Sequence, residues 1–144
     1  MDITIKELVY GSDDYEKSID IRNEVFRKPW GLNIRDEDLT VDKDMQLFGA
    51  YLEDEIIGTI FLTEKDSETA QIKSVTLLPE YQNRGFGKYL MEYTENLARE
   101  QGYTKCFLMG RVSKLYFYEK MGYEKVGEPF DYQTIPHINM IKSL

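Results

Sequence analysis

The 144-residue chain has one cysteine, one histidine, one tryptophan and four prolines. It also has no apolar run approaching the roughly 20 residues of a membrane-spanning helix. The single Cys106 has no intrachain disulfide partner, which points away from a disulfide framework and toward a reducing, cytoplasmic compartment. Its place in Cys106-Phe107-Leu108-Met109 reads as that of a buried small hydrophobe. One histidine and one cysteine cannot furnish the ligands of an ordinary zinc site, so no metal is expected. The opening MDITIKELVY alternates apolar and polar residues and lacks the basic start and apolar centre of a secretory leader. Positive charge is also scarce: 18 Lys and Arg against 26 Asp and Glu leave a formal charge of -8. That balance, with no basic stripe, disfavours nucleic acid and anionic membrane as partners.

What is present fits one domain spanning residues 1–144 with a substantial core. Ile3, Ile5 and Leu8 suit a first strand. Ser12-Asp13 then offers caps for a helix through about Phe26, with Tyr15, Ile19, Arg22 and Phe26 along one stripe. Lys28-Pro29-Trp30-Gly31 ends it, and the charged stretch from Leu32 to Asp44 reads as a loop containing at most one helical turn. Strands follow at Met45–Leu52 and Ile56–Leu62 around a turn at Glu53-Asp54-Glu55, and a third runs from Thr69 to Leu78. Phe86, Leu90, Tyr93 and Leu97 mark a helix over about 85–101, closed by Gly102. The pattern then predicts a strand at Lys105–Met109, a helix at Ser113–Lys120, and strands at Tyr123–Gly127 and His137–Lys142 around a loop from Glu128 to Pro136. This order indicates an α/β (α+β) domain with a mixed, mostly antiparallel sheet flanked by helices. Exposed strand edges leave room for a homodimer.

The most informative stretch is Tyr81-Gln82-Asn83-Arg84-Gly85-Phe86-Gly87-Lys88, between a strand and a helix N-terminus. Free N–H groups and the positive end of the helix dipole make such a junction an anion site, and the glycines let a ligand approach the backbone. A Walker A loop requires glycine at 82 and Ser or Thr at 89, where Gln82 and Tyr89 stand. A dinucleotide fingerprint requires glycine at 90, where Leu90 stands. The pattern that fits is Q-x-x-G-x-G, preceded by Leu77-Leu78-Pro79-Glu80-Tyr81.

In this respect the sequence resembles the GNAT family of N-acetyltransferases. Phe117-Tyr118-Glu119-Lys120-Met121-Gly122-Tyr123 is similar to a second family segment, and the element order matches along the whole chain. Arg22-Asn23-Glu24-Val25-Phe26-Arg27-Lys28-Pro29 and Pro136-His137-Ile138-Asn139-Met140 resemble the bacterial ElaA and YjcF-like subgroup. The resemblance implies the GNAT acyl-CoA N-acyltransferase fold, acetyl-CoA as co-substrate, and direct acetyl transfer to a small-molecule or peptide amine. By the same resemblance, Gln82, Asn83, Arg84, Gly85, Phe86, Gly87 and Lys88 cradle the pyrophosphate. Val75, Thr76 and Leu77 pair with the pantetheine arm as a strand does, and a backbone N–H near Leu77 steadies the oxyanion. The departing thiolate needs a proton or a strong hydrogen bond, and Tyr118 matches the tyrosine that serves as this acid.

The base that deprotonates the amine stays open among Glu24, Asp44, Glu80, His137 and water. The acidic residues from Asp36 to Asp44 either draw in a cationic amine or form a solvated face. Arg111 stands where many family members carry asparagine, so no contact of that asparagine carries over. Phe86, aromatic where the family has smaller apolar residues, is expected to pack beneath the helix. The alternative to an enzyme is a non-catalytic acyl-CoA-binding or regulatory domain of the same fold.

Overall fold

The computed structural model describes residues 2–144. Seven strands form one sheet: β1 (Thr4–Glu7), β2 (Gln46–Leu52), β3 (Glu55–Glu64), β4 (Thr69–Leu77), β5 (Lys105–Arg111), β6 (Glu124–Tyr132) and β7 (Ile135–Ser143). Their spatial order is β1-β2-β3-β4-β5-β7-β6, antiparallel throughout except between β4 and β5. Among the described residues three α-helices accompany them: α1 (Asp13–Phe26), α2 (Phe86–Glu100) and α3 (Leu115–Lys120). The mixed, mostly antiparallel sheet with flanking helices is the architecture read from the sequence.

Residue alternation along the central strands assigns the helices to opposite faces. Phe61 joins Tyr15 and Ile19 of α1 in one cluster with Leu47 and Tyr51. Ile60 and Leu62 join Phe86, Leu90 and Met91 of α2 in the larger cluster on the other face. β3 therefore reads as a nearly continuous apolar run because it is covered on both sides. The Ser12 side chain caps α1 by accepting from the Tyr15 N–H at 3.2 Å, and Asp13, Asp14 and Glu16 place negative charge in its first turn.

Two expectations about connections are corrected. The stretch Leu32 to Asp44 contains two 3₁₀ turns rather than at most one, Ile34–Asp36 and Thr40–Asp44, after a first at Lys28–Trp30. Asn23 Oδ1 ties it to α1 by accepting from the Ile34 N–H at 2.8 Å, and Ile34 is buried. The segment Glu128–Pro136 is not a loop: β6 runs to Tyr132, and a two-residue turn, Gln133-Thr134, with φ of 53° and 63°, leads into β7. β6 is an exposed edge strand with a register shift between Val126 and Phe130, so it lacks the apolar alternation of a covered strand and tolerates Pro129.

What positions the site is the separation of β4 from β5. They pair in parallel at only three positions, Thr69 with Lys105, Ala70 with Cys106 and Gln71 with Phe107. Beyond these, a bulge in β4 shifts its register against β3 between Thr59 and Phe61, with Ser74 at φ 54°. Thr59 holds the bulge, its hydroxyl 2.6 Å from both the Ser74 carbonyl and the Thr76 hydroxyl. Bulges bend the strand that carries them, and here the outer half of β4 leaves β5.

Candidate active site

The diverging strands open a cavity of about 490 Å³, lined by β4, the start of α2, the ends of β5 and α1, and α3. At one end, residue 78 donates its N–H to the Ile57 carbonyl of β3 at 2.9 Å. Successive N–H groups of a strand point to opposite edges, so the N–H of Leu77 faces the cleft. The loop to α2 is fastened by the Gln82 amide, which donates to the Leu77 carbonyl at 2.9 Å. Gly85 caps α2 in the left-handed region at φ 86°, and no side chain caps the helix. The first intrahelical bond runs from the Tyr89 N–H to the Gly85 carbonyl at 3.2 Å, which leaves the N–H groups of Phe86, Gly87 and Lys88 without helical partners. That arrangement suits an oxyanion-rich ligand such as a pyrophosphate.

Among the residues expected to hold the co-substrate, Val75, Thr76, Leu77, Gln82, Asn83, Gly85, Gly87 and Lys88 line the cavity. Two side chains do not. Phe86 is buried in the core beneath α2, while exposed Arg84 lies over the Tyr81 and Phe86 rings at 5.6 and 5.2 Å.

Tyr118 lines the same cavity from α3, whereas Tyr116 is 73% exposed on the other side of that helix. The Tyr118 ring lies against β5 because residue 110 is glycine: a Cβ there would sit 3.3 Å from Tyr118 Cδ2 and equally close to Leu108 and Met140 side chains. Burial pushes the Tyr118 phenol up to about 12, against the opposing pull of Arg111. It is therefore protonated at neutral pH.

At the opposite end, side chains define the surface. Asp42, 2% exposed, accepts from the Tyr15 hydroxyl at 2.7 Å and from Arg22 at 2.8 Å. Arg22 also lies 4.8 Å from the Phe61 ring centroid. Arg27 engages both oxygens of Glu37, at 2.6 and 3.1 Å. The acidic run thus divides: Asp42 and Glu37 are paired inside, while Asp36, Asp38 and Asp44 are exposed. Sequence reasoning missed both pairings, whose only trace was Arg22 on the otherwise apolar stripe of α1.

Of the four nominated bases, Glu24, Asp44 and Glu80 are exposed and outside the cavity lining, and Glu24 pairs with Lys28 at 3.0 Å. His137 lines the cavity. Its Nδ1 lies 2.7 Å from the Ile135 carbonyl, which can only accept, so Nδ1 carries the proton and Nε2 keeps a lone pair. Burial lowers its pKa below the ordinary 6.5, and Arg111 and Arg27 act in the same direction. Cys106 is fully buried, with its thiol pushed up to about 11 by burial. Among the described residues, no group of three or more His, Cys, Asp or Glu could hold a metal ion, and no helix is long and apolar enough to cross a membrane.

The model of the acetyltransferase (GNAT) family matches residues 15–123, and the chain belongs to that family. A Bacillus subtilis (strain 168) protein, provisionally named an acetyltransferase, is 30% identical over 137 residues, spanning 93% of this chain and 92% of the relative. The crystal structure of a GNAT family acetyltransferase from Elizabethkingia anophelis with acetyl-CoA bound is similar at a TM-score of 0.74 and 24% identity, over 99% of this chain and 98% of the other. Escherichia coli ElaA is similar at a TM-score of 0.79 and 20% identity, over 98% and 99% of the two chains. Both structural likenesses are likenesses of fold. The class that fold and family define is the N-acetyltransferases.

Proposed function

We propose that the protein transfers the acetyl group of acetyl-CoA directly to an amine held at the α1 end of the cavity, in the cytoplasm. The observation that carries this reading is the wedge between β4 and β5, which brings an unpaired strand edge, an uncapped helix N-terminus and Tyr118 around one space. The β4 edge offers N–H and C=O groups to the amides of the pantetheine arm, as a strand does to its neighbour. Free N–H groups at the start of α2 offer the same to the pyrophosphate.

The amine nitrogen attacks the thioester carbonyl carbon, the C–N bond forms as the C–S bond breaks, and the sulfur leaves as a thiolate. The Leu77 N–H stabilises negative charge on the carbonyl oxygen. Tyr118 donates a hydrogen bond to the departing sulfur. An alkyl thiol such as that of cysteine ionises at about 8.5. A phenol raised to about 12 therefore keeps its proton beside a thiolate, which takes its own from solvent. His137 Nε2 accepts the proton lost by the amine, directly or through one water, since its depressed pKa keeps it neutral at pH 7.

Acetyl-CoA should raise the melting temperature, and a panel of primary amines should release free thiol in proportion to acetylated product. Thermal stabilisation with no thiol release across the panel would favour the non-catalytic acyl-CoA-binding alternative. No stabilisation at millimolar acetyl-CoA would remove the co-substrate itself.

A further inference from the structure

The cavity of this acidic protein is lined by six cations, Arg22, Arg27, Lys73, Lys88, Arg111 and Lys114, and three carboxylates, Glu37, Asp38 and Asp42. The two carboxylates on the buried side are spent on Arg22 and Arg27. Asp38 is exposed and accepts from the Thr40 N–H and hydroxyl. No carboxylate pairs with Arg111 among the described residues. Its only protein hydrogen bond is a 3.2 Å donation to the Val25 carbonyl in the last turn of α1. That contact caps a helix end and uses one of five guanidinium N–H donors.

Arg111 is nonetheless held in place. Its guanidinium lies 4.7 Å from the Phe26 ring centroid, its backbone pairs with His137 across β5 and β7, and the Tyr118 ring packs on the adjacent residue 110. Burial makes its charge costly, and neighbouring Arg27 adds to that cost. A partly buried guanidinium with free donors, aimed by an aromatic ring and short of a counter-ion, is a receptor for a planar anion. Val25 and Phe26 stand directly beside it, and Leu39, Met45 and Tyr132 add apolar and aromatic surface to the same cavity.

We propose that the acceptor is an amino acid with an apolar side chain, whose carboxylate is taken by Arg111 while its amine meets the thioester. This rests on the acetyl-transfer reading for its chemistry, but not for its recognition step. Of the two readings the acidic run left open, it sets aside the attraction of a cationic amine: two of the three lining carboxylates, Asp42 and Glu37, are already paired with Arg22 and Arg27.

The test compares phenylalanine with phenethylamine, and leucine with 3-methylbutylamine, pairs that differ only in the carboxylate. Thiol release should favour the amino acid by about 10- to 100-fold in kcat/KM, the range of a charge-assisted hydrogen bond. In Arg111→Gln that preference should collapse toward one through a raised KM, and Arg111→Lys should restore part of it. The affinity for acetyl-CoA should stay within about twofold in both variants, which also shows that they fold. Equal turnover of both members of each pair by the wild type, or preference for the decarboxylated amine, overturns the inference and leaves acetyl transfer standing. An equal loss of acetyl-CoA affinity in Arg111→Gln overturns it by assigning Arg111 to the donor. If no amine is acetylated, calorimetry with the coenzyme A complex decides: Arg111-dependent binding of phenylalanine over phenethylamine supports the inference while the transfer reading fails, and its absence overturns the inference.

Discussion

At the proposed donor end of the cleft, the groups offered to a ligand are backbone N–H groups from one stretch of chain, Val75 to Lys88. At the proposed acceptor end they are side chains brought from distant stretches, with Arg22 and Asp42 20 residues apart and Arg111 and Val25 86 apart. The first end is set by local conformation and the second by tertiary packing. A backbone cradle tolerates side-chain change and suits a constant ligand; a side-chain cradle changes character with single substitutions.

The largest effect should come at the point where the two ends meet. Tyr118→Phe should lower kcat by about 10²- to 10³-fold, the range for removing one oriented donor at a developing anion, with little change in acetyl-CoA affinity. Wild-type turnover by this variant across the pH range would remove Tyr118 from the chemistry. Next, Asp42→Asn should cost about 3 kcal/mol in urea unfolding, since it strands the buried charge of Arg22. A loss under about 1 kcal/mol would mean that the acceptor wall does not depend on that pair.

At the donor end, acetyl-CoA at 100 times its Kd should stabilise the wild type by about 2.7 kcal/mol, and Gly87→Glu should abolish the gain by setting a carboxylate against phosphate. Gly87→Ala sharpens this, because its Cβ would meet the Phe117 ring at 3.2 Å and the Leu77 side chain at 3.9 Å, and should leave most of the stabilisation intact. The smallest effect concerns pH. The folded His137 binds its proton more weakly than the unfolded chain does at an ordinary 6.5, so protons favour unfolding. Stability from this group is complete above 6.5 and declines as pH falls through the lower folded value; kcat/KM should show an acid limb in the same window. His137→Gln should remove both, and an acid limb that survives the substitution would assign the base elsewhere.

The conformation of the loop before α2 was legible because its signals are short-range: Gln82, Gly85 and Gly87 act on their own stretch of chain. The ladder from β2 to β4 was legible for a similar reason, through alternation and turns such as Glu53-Asp54, whose φ values are 50° and 67°. The β4 bulge was not, because Ser74 is a lone serine with no glycine or proline beside it to break the strand pattern, and what holds it is Thr59 on the neighbouring strand. β5 was read to Met109 but reaches Arg111, and those two residues are what carry the guanidinium into the cavity. Asp42 looked like any member of an acidic run, since burial of one carboxylate among exposed ones depends on a partner 20 positions earlier.

Three residue pairs between β4 and β5, continued by the Glu68 carbonyl that accepts from the Thr104 and Lys105 N–H groups at 2.9 and 3.2 Å, form a short seam between a four-stranded and a three-stranded half of the sheet. A pantetheine arm lying along the open part of that seam would lengthen it from within, making the ligand a temporary strand of the fold. Amide exchange should then slow along β5 and β7 as well as along β4, so that the far half of the sheet registers co-substrate it scarcely touches.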